Sequence, residues 1–222
     1  IQAQIEMRSN KPLFGWKIAA TSTAGQRHIG VDGPMAGRLL AERVFGAGDV
    51  IPFGANRMRV AEAEFAFYME RDLRPRIEPY GVEEVMDAVG ALHLAIEIPD
   101  SRYEDFVSAG APQLIADNAC AHLFVLGPKA PAGWRELDLA SYEVTGRIDG
   151  RLQCDGVGAN VLGDPRIALT WLANELSAHG ITLAAGQIVT TGTCVTPMEI
   201  RPGDVVSADF GLLGRVSCSI GN

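Results

Sequence analysis

The sequence predicts a mostly β domain of the α+β class with a few short helices, and three observations support this. The 222 residues include 25 glycines and 12 prolines, which indicates many turns between short segments. Several runs alternate apolar and polar side chains with the period of two that strands have. Asp149-Gly150 separates two such runs, as in a tight hairpin. No repeat, linker or low-complexity run divides the chain, so we expect residues 1–222 to form one domain.

The first segments are a short helical fragment at residues 1–9 and a strand at residues 13–22. The chain begins with Ile1 rather than Met, so we expect the native protein to extend upstream. Lys17 lies in the middle of the strand, where it either extends to the surface, the commoner arrangement, or is held in a site by a partner. Residues 22–37 are rich in Gly, Ser and Thr and predict a loop that could be mobile.

A second strand at residues 50–53 leads into residues 60–69, the strand on which the functional prediction depends. One face of that strand carries Ala61, Ala63, Phe65 and Phe67, and the other carries Glu62, Glu64 and Ala66. Side chains two residues apart on one face lie about 7 Å apart at the backbone, so two carboxylates there can converge and repel. A hard divalent cation would remove that repulsion. The alternative is a common half-exposed strand with two solvated glutamates.

A third carboxylate follows in the next strand. Residues 79–92 have helical spacing, and an apolar run at residues 93–98 then predicts a buried strand that contains Glu97. A buried glutamate needs a partner or a metal ion. Asp100 and Arg102 at the end of this strand either brace the site or pair with each other.

The remaining segments complete a strand-rich chain. They are a helix or turn at 112–118, strands at 119–126, 188–194, 205–210 and 214–220, a hairpin at 142–154 and a helix at 166–179. The glycine-rich residues 156–165 fit neither a GxGxxG turn after a strand nor a P-loop, so a nucleotide site is a weak interpretation.

Composition excludes several functions. The net charge of −8 offers no general attraction to nucleic acid or an anionic membrane, and no apolar run of about 18 residues exists. No secretory signal is visible. Cys120, Cys154, Cys194 and Cys218 are scattered without a CxxC pair, which predicts reduced thiols in a cytoplasmic protein.

Several segments in their order resemble the fumarylacetoacetate hydrolase superfamily, most closely its branch of 2-keto-4-pentenoate hydratases and 4-oxalocrotonate decarboxylases. The matching segments are residues 15–22, 62–67, 95–98, 116–119, 158–174, 191–193 and 202–211. Each is weak alone, but their joint order and spacing are specific and cover nearly the whole chain. The resemblance implies a mixed β-roll core with peripheral short helices, an N-terminal helical region that is mostly absent here, and assembly into dimers or larger homo-oligomers.

The resemblance also implies a set of site residues. It places the metal ligands on Glu62, Glu64 and Glu97, with Mg²⁺ or Mn²⁺ as the ion, an active-site lysine on Lys17, and substrate binding on Thr191, Gly192 and Thr193. We assign Lys17 to proton handling or to polarising the substrate. Asp100 and Arg102 are further catalytic candidates and Asn118 is a further substrate-binding candidate, each by orienting ligands or water.

The activity that the resemblance implies is hydration of 2-hydroxypenta-2,4-dienoate to 4-hydroxy-2-oxopentanoate, in aromatic meta-cleavage catabolism, with a divalent cation as Lewis acid. One alternative is 4-oxalocrotonate decarboxylation. Another is hydrolysis of an acylpyruvate or fumarylpyruvate carbon–carbon bond, which needs a base such as His28 in residues 22–37. A metal-binding scaffold without activity is disfavoured, because Lys17 and all three glutamates are present. His93, His122 and His179 are interpreted as structural.

Overall fold

The computed structural model describes residues 1–222 as a strand-rich protein with short helices. The strands are β1 (Gly15–Ala19), β2 (Met35–Leu39), β3 (Val44–Gly46), β4 (Val50–Ile51), β5 (Val60–Met69), β6 (Val89–Ile98), β7 (Leu123–Lys129), β8 (Glu143–Ile148), β9 (Leu152–Val157), β10 (Ile188–Thr193), β11 (Met198–Glu199), β12 (Val205–Asp209) and β13 (Arg215–Ile220). The α-helices are α1 (Thr23–Ile29), α2 (Val82–Asp87), α3 (Ala111–Ala116) and α4 (Pro165–Ala178), and short 3-10 helices lie at Gln2–Arg8, Ala41–Arg43, Asn118–Cys120, Ala132–Glu136, Gly158–Asn160 and Gly211–Leu213. The predicted fold class is confirmed. None of the helices has both the length and the apolar character needed to cross a membrane.

The strands form two sheets. The larger has the order β2-β1-β10-β5-β6-β7-β3, with β11 paired to β5, and the smaller has the order β4-β13-β12-β8-β9. In the larger sheet the β1–β10 and β3–β7 pairs are parallel and the other pairs are antiparallel. Strand β5 therefore lies at the centre of the larger sheet, between β10 and β6.

The apolar face of β5 is fixed by packing. Ala61, Ala63, Phe65 and Phe67 are fully buried in the main core, as predicted. The Phe65 ring packs edge-on against Phe210 with 5.0 Å between centroids, and Phe67 lies 6.0 Å from Trp134. Burial of one such ring contributes about 1.5–3 kcal/mol. A register slip would expose these side chains, so the opposite face, with Glu62 and Glu64, is specified as well.

Residues 22–37 are more ordered than the sequence predicts. The Ser22 side chain accepts a hydrogen bond from Gly25 N and caps α1, which ends at Gly30 in the left-handed conformation (φ 64°). The prediction of a loop is therefore wrong for residues 23–29, which form α1, and for residues 35–37, which begin β2, and it holds for residues 30–34. The polar composition reflects the exposed face and caps of a short helix rather than an unstructured turn.

The helix predicted at residues 79–92 is also wrong in its second half. Helix α2 ends at Asp87, and Val89 and Leu92 belong to β6, where they lie opposite Met69 and Phe67 of β5. A buried strand carries apolar residues on both faces, so its pattern mimics one face of a helix at this length.

Candidate active site

The register of β5 and β6 brings three glutamates together. Glu62 lies directly opposite Glu97, and Glu64 is two residues further along the same face of β5. Carboxylate oxygens of the three lie within 4.8 Å of one another. Glu64 and Glu97 are fully buried, whereas Glu62 is partly exposed and lines a cavity. The structure thus brings together the three glutamates that the sequence predicts as metal ligands.

The electrostatics of this cluster oppose full ionisation. Burial, followed by repulsion from Glu97, raises the pKa of Glu62 to about 7. Burial, followed by the charges of Glu97 and Glu62, raises the pKa of Glu64 well above its ordinary value, and burial also raises the pKa of Glu97. Like charges directly across two strands are destabilising. Lys17 alone therefore leaves the cluster short of positive charge.

The unpaired oxygens of the cluster fit a divalent cation. Glu64 Oε1 and both carboxylate oxygens of Glu97 are buried and accept no hydrogen bond. Buried polar atoms without a partner are rare and costly. Three carboxylates are the donor set that hard cations such as Mg²⁺ prefer, and a bound cation would satisfy these oxygens.

Strand β10 orients Glu64. Thr190 Oγ1 and the backbone N–H of Gly192, at 2.8 Å, both donate to Glu64 Oε2, which leaves Oε1 free to face the cluster. Gly192 has φ 107°, and a Cβ there would lie 2.1 Å from Thr21 Oγ1, so glycine is required. The irregularity in β10–β5 pairing between Thr190 and Thr193 produces this geometry.

Lys17 lies beside the cluster. Its Nζ is 3.2 Å from Glu97 Oε1, an ion-pair distance without hydrogen-bond geometry, and it donates to Ala119 O at 3.0 Å. Burial alone would lower the pKa of Lys17, but the charges of Glu97 and Glu62 outweigh it and the pKa is raised. A Cβ on Gly37 of the neighbouring strand would lie 3.0 Å from Lys17 Cγ and 2.4 Å from Asn118 O. Glycine at that position lets the lysine and the Asn118 turn approach each other.

The carbonyl that binds Lys17 comes from a strained turn. Asn118, Ala119 and Cys120 all have left-handed backbones, with φ of 60°, 51° and 60°. Asn118 Oδ1 accepts from Arg38 N at 2.7 Å, and its Nδ2 donates to Arg38 O at 2.8 Å. This turn delays the start of β7 to Leu123, so the prediction of a strand from residue 119 is wrong. The structure uses Asn118 to hold the turn and does not place it in the cavity lining.

A pair of substitutions at Asn118 separates backbone strain from hydrogen bonding. Asn118→Ala is expected to lower the free energy of unfolding by about 2–4 kcal/mol, since it loses two hydrogen bonds and puts a Cβ-bearing residue without side-chain support in the left-handed region. Asn118→Gly should lose about 1 kcal/mol less, because glycine adopts that region freely. Urea unfolding measures both values. Equal losses would show that the turn stores no strain.

The other predicted residues are placed as follows. Asp100 Oδ1 accepts from the backbone N–H of Arg57 at 2.7 Å, and the Arg102 guanidinium pairs with Asp117 rather than with Asp100. Neither Asp100 nor Arg102 lines the cavity, and their catalytic role stays a prediction. Thr191 Oγ1 donates to Phe65 O on the buried side of the strand, whereas Gly192 and Thr193 line the cavity.

Two buried residues at the site were missed by the sequence predictions. Thr190 binds Glu64, and Asp117 accepts from Ser101 Oγ at 2.6 Å and from Arg102. Thr190 could have been found, because it shares a strand face with Gly192 in the predicted strand at residues 188–194. Nothing in the sequence around Asp117 distinguishes it from an exposed aspartate.

The cavity beside the cluster has a volume of about 570 Å³, within the range of about 300–1,000 Å³ that small-molecule sites have. Lys17, Glu62, Gly192 and Thr193 form its polar end. His28 also lines it, with its ring edge-on to Phe106 at 6.4 Å. A buried carboxylate cluster and a lysine at such a cavity together have the donor groups of a divalent-metal site that is open to a small ligand.

The chain belongs to the fumarylacetoacetate hydrolase family. The family model described as the fumarylacetoacetate (FAA) hydrolase C-terminal domain matches residues 32–220. This confirms the resemblance that the segment order predicted.

The relatives that the chain matches include hydratases and a decarboxylase. It is 33% identical to a 2-keto-4-pentenoate hydratase of Burkholderia vietnamiensis over 97% of this chain and 81% of that protein. It is 31% identical to a 4-oxalocrotonate decarboxylase of Pseudomonas sp over 92% of this chain and 77% of that protein. The structure of a 4-oxalocrotonate decarboxylase from Pseudomonas putida G7, complexed with magnesium and adipate, superposes with a TM-score of 0.88 at 28% identity, over 99% of this chain and 83% of the other.

Proposed function

We propose that this protein is a divalent-metal-dependent lyase that adds water to 2-hydroxypenta-2,4-dienoate to give 4-hydroxy-2-oxopentanoate. The observation that carries the proposal is the cluster of Glu62, Glu64 and Glu97, which lies next to Lys17 and an open cavity. Three of its buried oxygens accept no hydrogen bond. The hydratases among the relatives support this choice of reaction. Residues 1–222 would act as one catalytic domain.

In this proposal the three glutamates hold the cation, with Mg²⁺ or Mn²⁺ as the expected ion. When bound, the cation supplies Lewis-acid chemistry at the 2-oxo group. Glu64 is held for this role by Thr190 and Gly192, which fix its free oxygen toward the cluster. Fixed ligands lower the reorganisation that binding and reaction require.

Lys17 is the residue that would act on the substrate oxygen. An ammonium has three N–H donors. One binds Ala119 O and another faces Glu97, so a third is left for a ligand in the cavity. A donor at this point stabilises negative charge that develops on the substrate's 2-oxygen as the proton moves along the conjugated chain.

Decarboxylation of 4-oxalocrotonate is the second candidate, because a decarboxylase is among the relatives. Both reactions develop negative charge on the same 2-oxygen, one by proton transfer and the other by loss of carbon dioxide, so the cluster and Lys17 suit either. Carbon–carbon hydrolysis ranks below them. His28, the base it would require, packs against Phe106 and has no carboxylate partner.

An ultraviolet assay tests the proposed reaction. Freshly generated 2-hydroxypenta-2,4-dienoate should lose its dienoate absorbance when the protein and Mg²⁺ are both present, and excess chelator should stop the loss. 4-Oxalocrotonate is the comparison substrate. Turnover of the dicarboxylate alone, with release of carbon dioxide, would select the decarboxylase, and no turnover of either would refute the proposed function. A cytoplasmic location and assembly into a homo-oligomer stay predictions.

A further inference from the structure

The cavity continues from its polar end into an apolar chamber. We use this name for the part lined by Ile29, Met35, Met58, Phe106 and Leu114. These side chains belong to, or pack against, one apolar cluster that also contains Ala119 and Cys120. Ala119 belongs to this cluster and its carbonyl binds Lys17 Nζ, so the chamber is directly next to the polar end of the cavity.

No lysine or arginine lines the chamber. Lys17 is the only such residue in the cavity lining, and it is already paired with Glu97. Arg38 packs over Trp16 and pairs with Glu6, Arg102 pairs with Asp117, and Arg59 packs over Phe53. Arg27 and Arg57, which are next to lining residues in the chain, are exposed and do not line the cavity. His28 is the one other basic side chain in the lining, and its ring contacts Phe106.

A second carboxylate on the substrate would therefore enter this chamber with no lysine or arginine to pair with. Burial of an unpaired carboxylate is strongly unfavourable, whereas each buried methylene group is favourable. The chamber is also large for its proposed ligand, since a five-carbon acid occupies only part of a cavity of about 570 Å³.

We propose that this protein selects 2-hydroxy-2,4-dienoic acids with an uncharged apolar tail beyond the fifth carbon, and that the apolar chamber is the specificity-determining surface that excludes dicarboxylates. The proposal rests on the proposed function for its chemistry. The position of the tail and its selectivity come from the lining of the chamber alone.

Two measurements test the selectivity, the first through turnover and the second through binding alone. The first is kcat/KM for 2-hydroxypenta-2,4-dienoate, for 2-hydroxyocta-2,4-dienoate and for the dicarboxylate 2-hydroxyhepta-2,4-dienedioate, which is not a tautomer of 4-oxalocrotonate. We expect a rise of roughly three- to fourfold for each added methylene group that the chamber buries, and at least a tenfold lower value for the dicarboxylate than for the five-carbon acid. A dicarboxylate preference with good turnover would overturn the inference and leave the proposed function intact.

The second measurement is calorimetric binding of two unreactive acids, 2-oxooctanoate and 2-oxoadipate, to the protein with Mg²⁺ present. The inference requires tighter binding of 2-oxooctanoate, by at least tenfold. If that order is found while no dienoate is turned over, the chamber is as proposed and the proposed function has failed. Equal binding of the two acids, or no binding of either, would refute the role of the chamber.

A positive charge introduced in the chamber should reduce or reverse the preference for binding 2-oxooctanoate over 2-oxoadipate. Met58→Arg places a cation in the lining at a partly exposed position. We expect the ratio of the affinity for 2-oxooctanoate to the affinity for 2-oxoadipate to fall by at least tenfold. Met58→Leu should keep the wild-type order, and Leu212→Arg, at a surface residue that is 87% exposed, controls for added charge. An unchanged order in folded Met58→Arg would count against the chamber.

Discussion

Glu64→Gln is expected to abolish metal-dependent turnover and to weaken Mn²⁺ binding by at least about 100-fold. Loss of a ligand should exceed the 10–100-fold effect that residues behind metal ligands have. The amide oxygen can still accept from Thr190 and Gly192, which places the amide NH₂ where Glu64 Oε1 faces the cluster. A donor group would then occupy the position of a ligand.

The same substitution should leave the metal-free protein as stable as wild type, or more stable. It removes one of three carboxyl groups whose pKa values burial raises, and repulsion raises the pKa values of Glu62 and Glu64 further. Calorimetric Mn²⁺ titration and thermal unfolding without metal give the two readouts. Glu70→Gln, the same change at an exposed residue just beyond β5, is the control. Wild-type Mn²⁺ affinity in Glu64→Gln would contradict the assignment of Glu64 as a ligand.

Lys17→Met should also lower turnover, but its effects on Mn²⁺ affinity and on metal-free stability should be the opposite of those of Glu64→Gln. We expect kcat to fall by about 10²–10⁴-fold, the range for loss of a group that handles a proton in the reaction. Mn²⁺ affinity should stay within about tenfold of wild type, because the three glutamates are retained. The metal-free protein should lose about 3–5 kcal/mol of unfolding free energy, since the buried Glu97 loses the cation that pairs with it.

Lys129→Met provides the matched control, because Lys129 is exposed at the end of β7. Steady-state kinetics at saturating Mn²⁺, with calorimetry and urea unfolding of the metal-free form, separate the three effects. A Lys17→Met protein with wild-type kcat would remove Lys17 from the reaction. Failure to bind Mn²⁺ would show instead that Lys17 organises the cluster.

Much of the candidate site could be predicted because its carboxylates stand out from the alternation of apolar and polar residues along the strands. Glu62 and Glu64 share a face that alternates with a fully apolar one, and a glutamate inside an apolar run, as at Glu97, needs a counter-charge. That Glu62 and Glu97 lie directly opposite each other in β5 and β6 could not be predicted from either segment. Pairing register between distant strands is set by packing across the whole sheet.

Elements at the edge of the site were harder to predict. The helix α1 is seven residues long, too short for apolar periodicity, and only its caps at Ser22 and Gly30 identify it. The left-handed turn at Asn118 depends on hydrogen bonds to Arg38, 80 residues away in the chain. Local propensity carries no information about such long-range partners. The sequence therefore predicts Asn118 as a substrate-binding residue rather than as part of the turn.

The measurement that tests the central claim most directly is a calorimetric titration of the metal-free wild-type protein with Mn²⁺, repeated with Glu64→Gln. The account predicts one saturable Mn²⁺ site per chain in wild type, its loss in Glu64→Gln, and dienoate turnover that rises in proportion to the occupied site. Full dienoate turnover by protein that binds no divalent cation would contradict the account, as would Mn²⁺ binding that Glu64→Gln leaves unchanged.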